Sequence, residues 1–108
     1  MRILTICEHG NVRSVALAYL LKTIYGYDVL ACGVRETSEE TREMLFTWAD
    51  KIIVLDKKLI IPNFQLLHFS EKVIILDVGE DIWHDPYAQE LIHKLLKGLK
   101  TLDLTKKE

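Results

Sequence analysis

The chain is short and close to electrically neutral: its 108 residues are 49% hydrophobic and 28% charged, which suits one globular domain, expected to span residues 1–108. A formal net charge of −2 provides no general basic field and argues against a nucleic-acid partner. No apolar run reaches the roughly 18 residues that cross a bilayer, and the first residues lack a signal-peptide layout, so we expect a cytoplasmic protein without a membrane partner.

The first half of the chain alternates between strand-like and helix-like segments. Residues 2–7 are rich in β-branched and apolar side chains and predict a strand. Apolar positions near one face predict a helix over residues 14–25, ended by Gly26. Residues 28–34 predict a second strand. At residues 37–40, Thr-Ser-Glu-Glu predicts the start of a second helix with an N-cap and an acidic first turn.

The second half predicts two more strands and a last helix. The continuous apolar run at 51–56 is typical of a strand covered on both faces, and residues 72–78 resemble it. Asp85-Pro86 predicts the start of the last helix, with an Asp cap and Pro at the first helical position. This order predicts an α/β fold, a three-layer sandwich around a four-stranded, mostly parallel sheet. The loop after the first strand would then lie at the carboxyl edge of the sheet, where such folds bind ligands.

That loop carries the main functional signal. Residues 7–14 read Cys-Glu-His-Gly-Asn-Val-Arg-Ser, between the first strand and the first helix. Backbone N–H groups of such a loop and of the helix start converge on one point, where a phosphate dianion can bind. The same positive field favours the thiolate of Cys7, the form that attacks phosphorus. Arg13 would clamp two phosphate oxygens with its planar guanidinium, and a cation at a helix start is unfavourable unless an anion binds there.

The other loop residues complete the predicted phosphate-binding site: Glu8, His9, Gly10, Asn11, Val12 and Ser14. Ser14 can cap the helix or donate a hydrogen bond to the Cys7 sulfur. Gly10 suits a backbone that needs positive φ or close approach to a ligand, and Asn11 can brace the loop through its side chain. Glu8 is unexpected, because a carboxylate opposes anion binding unless it points away from the site.

With this motif the chain resembles the low-molecular-weight protein tyrosine phosphatases, especially their small bacterial and phage members. The resemblance rests on C-x5-R-S at residues 7–14, after the first strand and at the start of a helix, with an aspartate-bearing loop late in the chain. The order of strands and helices also fits over most of the chain. Gly10 stands where the family usually has asparagine, which here comes one residue later at Asn11, and the chain is shorter than usual. These departures concern the bracing of the loop and the substrate walls more than the nucleophile.

The resemblance implies a phosphomonoester hydrolase, most simply a protein-tyrosine phosphatase, with a phosphocysteine intermediate on Cys7. It also implies a catalytic aspartate in the loop after the last strand, which protonates the leaving group and then activates water. The main candidates are Asp85, which matches the family's Asp-Pro-Tyr, and Asp81, which lies nearer the strand end. Asp77 and Glu80 come behind them.

The implied substrate is a phosphotyrosine-containing protein or a small aryl phosphate, whose ring Trp83 and Tyr87 could contact. This chemistry requires no metal and no other cofactor, and the sequence has no cluster with metal-ligand spacing. The sequence leaves the oligomeric state open.

Three other functions share parts of this pattern. A phosphocarrier of the sugar phosphotransferase type also phosphorylates a cysteine in such a loop, but Arg13 counts against it. Arsenate reduction needs a resolving cysteine, and Cys32 is the only other cysteine. A domain that binds phosphopeptides without turnover would keep the loop and lose the acid.

Overall fold

A central parallel sheet organises the chain. The computed structural model describes residues 1–8, 12–35, 37–56, 66, 68–76, 78 and 87–102. Within these residues the strands are β1 (Arg2–Cys7), β2 (Asp28–Gly33), β3 (Lys51–Val54) and β4 (Val73–Ile75), in the order β2-β1-β3-β4. Each of the three pairings is parallel, which confirms the predicted α/β fold. The carboxyl ends of the strands therefore lie at one edge of the sheet.

Helices cover both faces of the sheet. They are α1 (Arg13–Leu20), which continues as a π-helical turn (Leu21–Tyr25), α2 (Glu39–Trp48) and α3 (Gln89–Leu99), and a 3₁₀ turn (Ser70–Lys72) precedes β4. One buried cluster joins α1 and α3 to one face of the sheet, and a second joins α2 to the other face. None of the helices in the described ranges is long and apolar enough to cross a membrane.

The first two helices begin and end close to the predicted positions, with one difference in the buried face of α1. Gly26 ends the first helical segment in the left-handed region at φ 70°, as expected. The side chain of Ser38 caps α2 by accepting a hydrogen bond from the Thr41 amide at 3.2 Å. The spacing offered Ile24 or Tyr25 as the last position of the apolar face; Ile24 is exposed, whereas Tyr25 is partly buried against the core. A π-helical turn has more residues per turn, so the 3.6-residue spacing does not hold there.

The late elements differ more. β4 has three residues (Val73–Ile75) where a strand over 72–78 was predicted: Lys72 belongs to the preceding 3₁₀ turn, and Leu76 and Val78 lie beyond the end of the strand. The last helix begins at Gln89, not at Pro86, and its N-cap is Ala88 in an extended conformation. The predicted Asp85 cap is therefore wrong. Just before this helix, the ring of Tyr87 packs edge-on against Tyr19 of α1, a tertiary contact that no local start signal contains. Asp85 and Pro86 themselves lie outside the described residues.

Candidate active site

Cys7 lies at the carboxyl end of β1, between two neighbouring strands. Its carbonyl accepts a hydrogen bond from the Val34 amide at 3.1 Å, and the Glu8 carbonyl accepts one from the Arg35 amide at 3.0 Å. These bonds extend the β1–β2 pairing past the end of both strands. Because β2 and β3 lie on opposite sides of β1, the crevice at this end is where doubly wound sheets bind ligands. Cys7 is thus held at the end of an inner strand of the sheet.

The first turn of α1 lies against this strand end. Val12 occupies the N-cap position and makes no side-chain cap, and the first turn contains no acidic residue. The positive end of the helix is therefore not neutralised by its own first turn. Ser14 lies inside the helix, so of its two predicted roles the cap is wrong.

The second predicted role of Ser14 agrees with the geometry. The Cys7 thiol donates a hydrogen bond to Ser14 Oγ at 3.1 Å, and both side chains are buried. A hydroxyl can reverse this bond, so Ser14 can donate to the sulfur once Cys7 has lost its proton. The contact can therefore stabilise a thiolate, both before it attacks and when it departs.

Thr5 ties β1 to the same helical turn and was missed from the sequence. Its Oγ1 donates to the Ser14 carbonyl at 2.7 Å, inside the core. Thr5 and Cys7 are two residues apart and so lie on one face of the strand, beneath α1. A lone hydroxyl within an apolar strand, two residues before the cysteine, was the signal that could have revealed it.

Arg13 is fully buried and forms an ion pair with a second residue that the sequence reasoning missed. Its Nη1 lies 3.3 Å from Oδ2 of Asp56, whose side chain is only 10% exposed. Asp56 lies two residues after the end of β3, at the same sheet edge as Cys7. A charged residue straight after a continuous apolar strand, at the edge that binds ligands, was the available signal.

The acidic residue next to Cys7 has a cationic partner. Oε1 of Glu8 lies 2.6 Å from Nε of Arg35, which is an exposed side chain beyond β2. The Glu8 carboxylate is therefore paired with a cation, which reduces the effect of its negative charge on an anion bound at the loop.

Several candidate residues lie outside the described part of the chain, so their roles stay predictions: His9, Gly10, Asn11, Asp77, Glu80, Asp81, Trp83 and Asp85. Tyr87 is described and is exposed, with its ring centroid 5.2 Å from that of Tyr19. Nowhere in the described ranges do three or more His, Cys, Asp or Glu side chains group as a metal site.

Cys32 does not face Cys7. The two cysteines belong to core clusters on opposite faces of the sheet, and neither is in a disulfide. Burial raises the pKa of the Cys32 thiol, and the opposing effects of Thr37 and Arg42 are smaller. A buried thiol on the opposite face of the sheet does not suit the resolving cysteine that arsenate reduction needs.

The fold is that of the low-molecular-weight protein tyrosine phosphatases, as the sequence resemblance predicted. No protein-family model matches the chain, and no curated protein matches it. Among solved structures, Wzb from Vibrio vulnificus, in complex with benzylphosphonate, has a TM-score of 0.65 at 14% identity, covering 94% of this chain and 98% of that one. YwlE arginine phosphatase from Geobacillus stearothermophilus has a TM-score of 0.56 at 20% identity, covering 93% of each chain. A YwlE mutant from Bacillus subtilis has a TM-score of 0.58 at 19% identity, covering 93% of this chain and 99% of that one. At these identities the likeness defines the fold.

Proposed function

We propose that this protein is a cysteine-dependent phosphomonoester hydrolase, acting as a protein-tyrosine phosphatase through a phosphocysteine intermediate. The observation that carries the proposal is the 3.1 Å contact between Cys7 Sγ and Ser14 Oγ, at the junction of β1 and α1. A cysteine at the end of a central strand, a hydroxyl that can donate to its sulfur and a buried arginine at the helix start are the parts of a phosphoryl-transfer site. One structural neighbour is named an arginine phosphatase and another was solved with benzylphosphonate, and both support chemistry at phosphorus in this fold.

The reaction proceeds in two displacements. The Cys7 thiolate forms a bond to phosphorus as the bond to the leaving oxygen breaks, and that oxygen takes a proton from an aspartate. Water then attacks phosphorus, its proton passes to the same aspartate, and the sulfur departs as a thiolate. Ser14 donates to the sulfur in both steps, while Arg13 binds the oxygens of the transferring group. No step uses a metal ion.

Of the two aspartate candidates, Asp85 is favoured over Asp81. The last helix begins at Gln89 with Ala88 as its N-cap, so Asp85 is not required to cap that helix. Asp85 also retains its match to the Asp-Pro-Tyr of the family that the sequence resembles. Asp81 stays the second candidate.

The substrate we propose is a phosphotyrosine-containing protein or a small aryl phosphate. Benzylphosphonate, present in the Wzb complex, presents a phenyl ring and a phosphonate together, and an aryl phosphate has the same two parts. We also propose a cytoplasmic location, since a reducing compartment keeps the nucleophile as a thiol. Neither a phosphocarrier nor a non-catalytic phosphopeptide-binding domain is favoured. The buried Arg13 counts against the phosphocarrier, and a binding domain would lack the acid that we propose at Asp85 or Asp81.

Release of nitrophenolate from p-nitrophenyl phosphate tests this proposal. Cys7→Ser is expected to abolish turnover while inorganic phosphate still binds, because the hydroxyl is a poor nucleophile in an intact cradle. Arg13→Lys is expected to lose about 100-fold or more in kcat/KM, since a point charge does not reproduce the planar fork. A chelator should leave activity unchanged. Full activity in Cys7→Ser would exclude the mechanism.

A second assay compares phosphotyrosine peptides with phosphoarginine peptides as substrates. It separates the proposed tyrosine phosphatase activity from an arginine phosphatase activity.

A further inference from the structure

β3 is flanked by two aspartates, each of which pairs with an arginine in a different setting. Asp50 precedes the strand and lies 3.7 Å from Arg2, with both side chains about half exposed (49% and 51%). Asp56 follows the strand at the other edge of the sheet, 3.3 Å from the fully buried Arg13. The exposed pair contributes little, whereas the buried pair compensates a charge that has lost its hydration.

The buried contact fixes one corner of the Arg13 guanidinium. Asp56 contacts Nη1, and the edge formed by Nε and Nη2 is a different edge of the same planar fork. A guanidinium binds two phosphate oxygens through two parallel N–H groups on one edge. Because the arginine side chain has several rotatable bonds, a fixed partner at Nη1 determines which way the Nε–Nη2 edge points.

We propose that Asp56 is a positioning residue that orients the Arg13 fork toward the transferring phosphoryl group, an inference that rests on the proposed phosphatase function. Asp56 acts through Arg13 and does not touch the substrate. The Asp56 carboxylate has two opposite effects on phosphate binding. Its negative charge repels the phosphate, whereas its contact with Nη1 orients the guanidinium that binds the phosphate. These two effects can be separated, because asparagine keeps an oxygen that accepts from Nη1 and removes the negative charge.

The test measures kcat and KM for p-nitrophenyl phosphate together with the dissociation constant of inorganic phosphate by calorimetry. Asp56→Ala is expected to lower kcat/KM by about 10- to 100-fold and to weaken phosphate binding, since the fork loses its orientation. Asp56→Asn is expected to recover most of both quantities. Asp50→Ala, which removes the matched pair at the other end of β3, is expected to match wild type.

A double-mutant cycle separates positioning from general stability. In an Arg13→Lys background, Asp56→Ala is expected to change kcat/KM little further, because lysine has no fork to orient. Equal losses from Asp56→Ala in both backgrounds, or an Asp56→Ala variant identical to Asp50→Ala, would overturn the proposal.

Phosphate affinity keeps this inference distinct from the proposed function. If wild type binds phosphate but hydrolyses no phosphomonoester, the proposed function fails, and the phosphate affinities of the Asp56 variants still decide the positioning role. If wild type binds no phosphate, both fail. If Asp56→Ala does not fold, Asp56→Glu replaces it: weaker phosphate binding at unchanged thermal stability supports the role, and unchanged binding overturns it.

Discussion

Two buried hydroxyl groups link β1 to the start of α1 at the scale of single residues. Thr5 donates to the Ser14 carbonyl at 2.7 Å, and the Ser14 hydroxyl contacts the Cys7 sulfur at 3.1 Å. The position of the Ser14 hydroxyl beside the sulfur therefore depends on a hydrogen bond from Thr5, two residues before Cys7 on the same strand. A small shift of this turn would move a hydrogen-bond donor away from the reacting sulfur, where alignment has a large effect on rate.

Thr5→Val tests this dependence, because valine has nearly the shape of threonine and lacks its hydroxyl. We expect a loss of about 1 kcal/mol in the free energy of unfolding and a fall in kcat of several-fold. Urea unfolding and p-nitrophenyl phosphate kinetics measure the two effects. Thr47→Val is the matched control, since its hydroxyl also donates to a backbone carbonyl, at 2.8 Å, on the exposed surface of α2. An unchanged kcat in Thr5→Val would make Thr5 a purely structural residue.

The chemistry-bearing residues in the loop could be predicted from the sequence, but their supporting partners could not. Cys7, Arg13 and Ser14 lie within eight residues, so local spacing reveals them. Asp56 is 43 residues from Arg13 in the sequence, and its role depends on the parallel pairing of β1 and β3. A single sequence shows which residue types follow each predicted strand. It does not show which of these side chains come into contact in the folded protein.

At the scale of elements, the sheet edge and the helix ends are held by side chains from other elements. The ammonium group of Lys72, just before β4, donates to the carbonyls of Phe46 and Ala49 at 3.0 and 2.9 Å, and more weakly to that of Thr47. These carbonyls end α2, where a cation also interacts favourably with the helix dipole. Lys72 was predicted as the first residue of β4 but belongs to the preceding 3₁₀ turn, from which its side chain reaches the end of α2.

Lys72→Met removes the charge and keeps most of the alkyl stem. We expect the free energy of unfolding to fall by about 1–2 kcal/mol, because the last carbonyls of α2 lose their donor. Lys22→Met, at an exposed lysine of the π-helical turn, should change stability little. Urea unfolding measures both. Phosphatase activity should be unchanged in both variants, and a Lys72→Met protein as stable as wild type would contradict the assignment.

Elements with strong local signals were predicted well, and those decided by tertiary contacts were not. The strand at residues 2–7, the end of the first helical segment at Gly26 and the start of α2 after Ser38 follow from apolar runs and caps. The start of α3 is different, because the Asp-Pro signal predicts a helix three residues too early. Tyr87 packs on Tyr19 there, and no local pattern contains that contact.

At the scale of the whole molecule, the layered architecture separates the two cysteines and gathers the candidate site. α1 and α3 cover the face that includes Cys7, while α2 covers the face that includes Cys32. The same parallel order brings the end of β1, the start of α1 and Asp56, two residues after β3, to one edge. Because parallel sheets of this kind bind ligands at the carboxyl ends of their strands, the proposed site lies at that edge, with the candidate nucleophile Cys7 at the end of a central strand.

The most direct test of this account is the identity of the covalent intermediate. The protein is mixed with p-nitrophenyl phosphate, quenched in acid within the first turnover and digested, and the phosphoryl group is located by mass spectrometry. We expect it on Cys7, with greater accumulation in Asp85→Asn than in Asp81→Asn, because loss of the base slows the attack of water. A phosphoryl group on any other residue, or turnover without a covalent intermediate, would contradict the central claim.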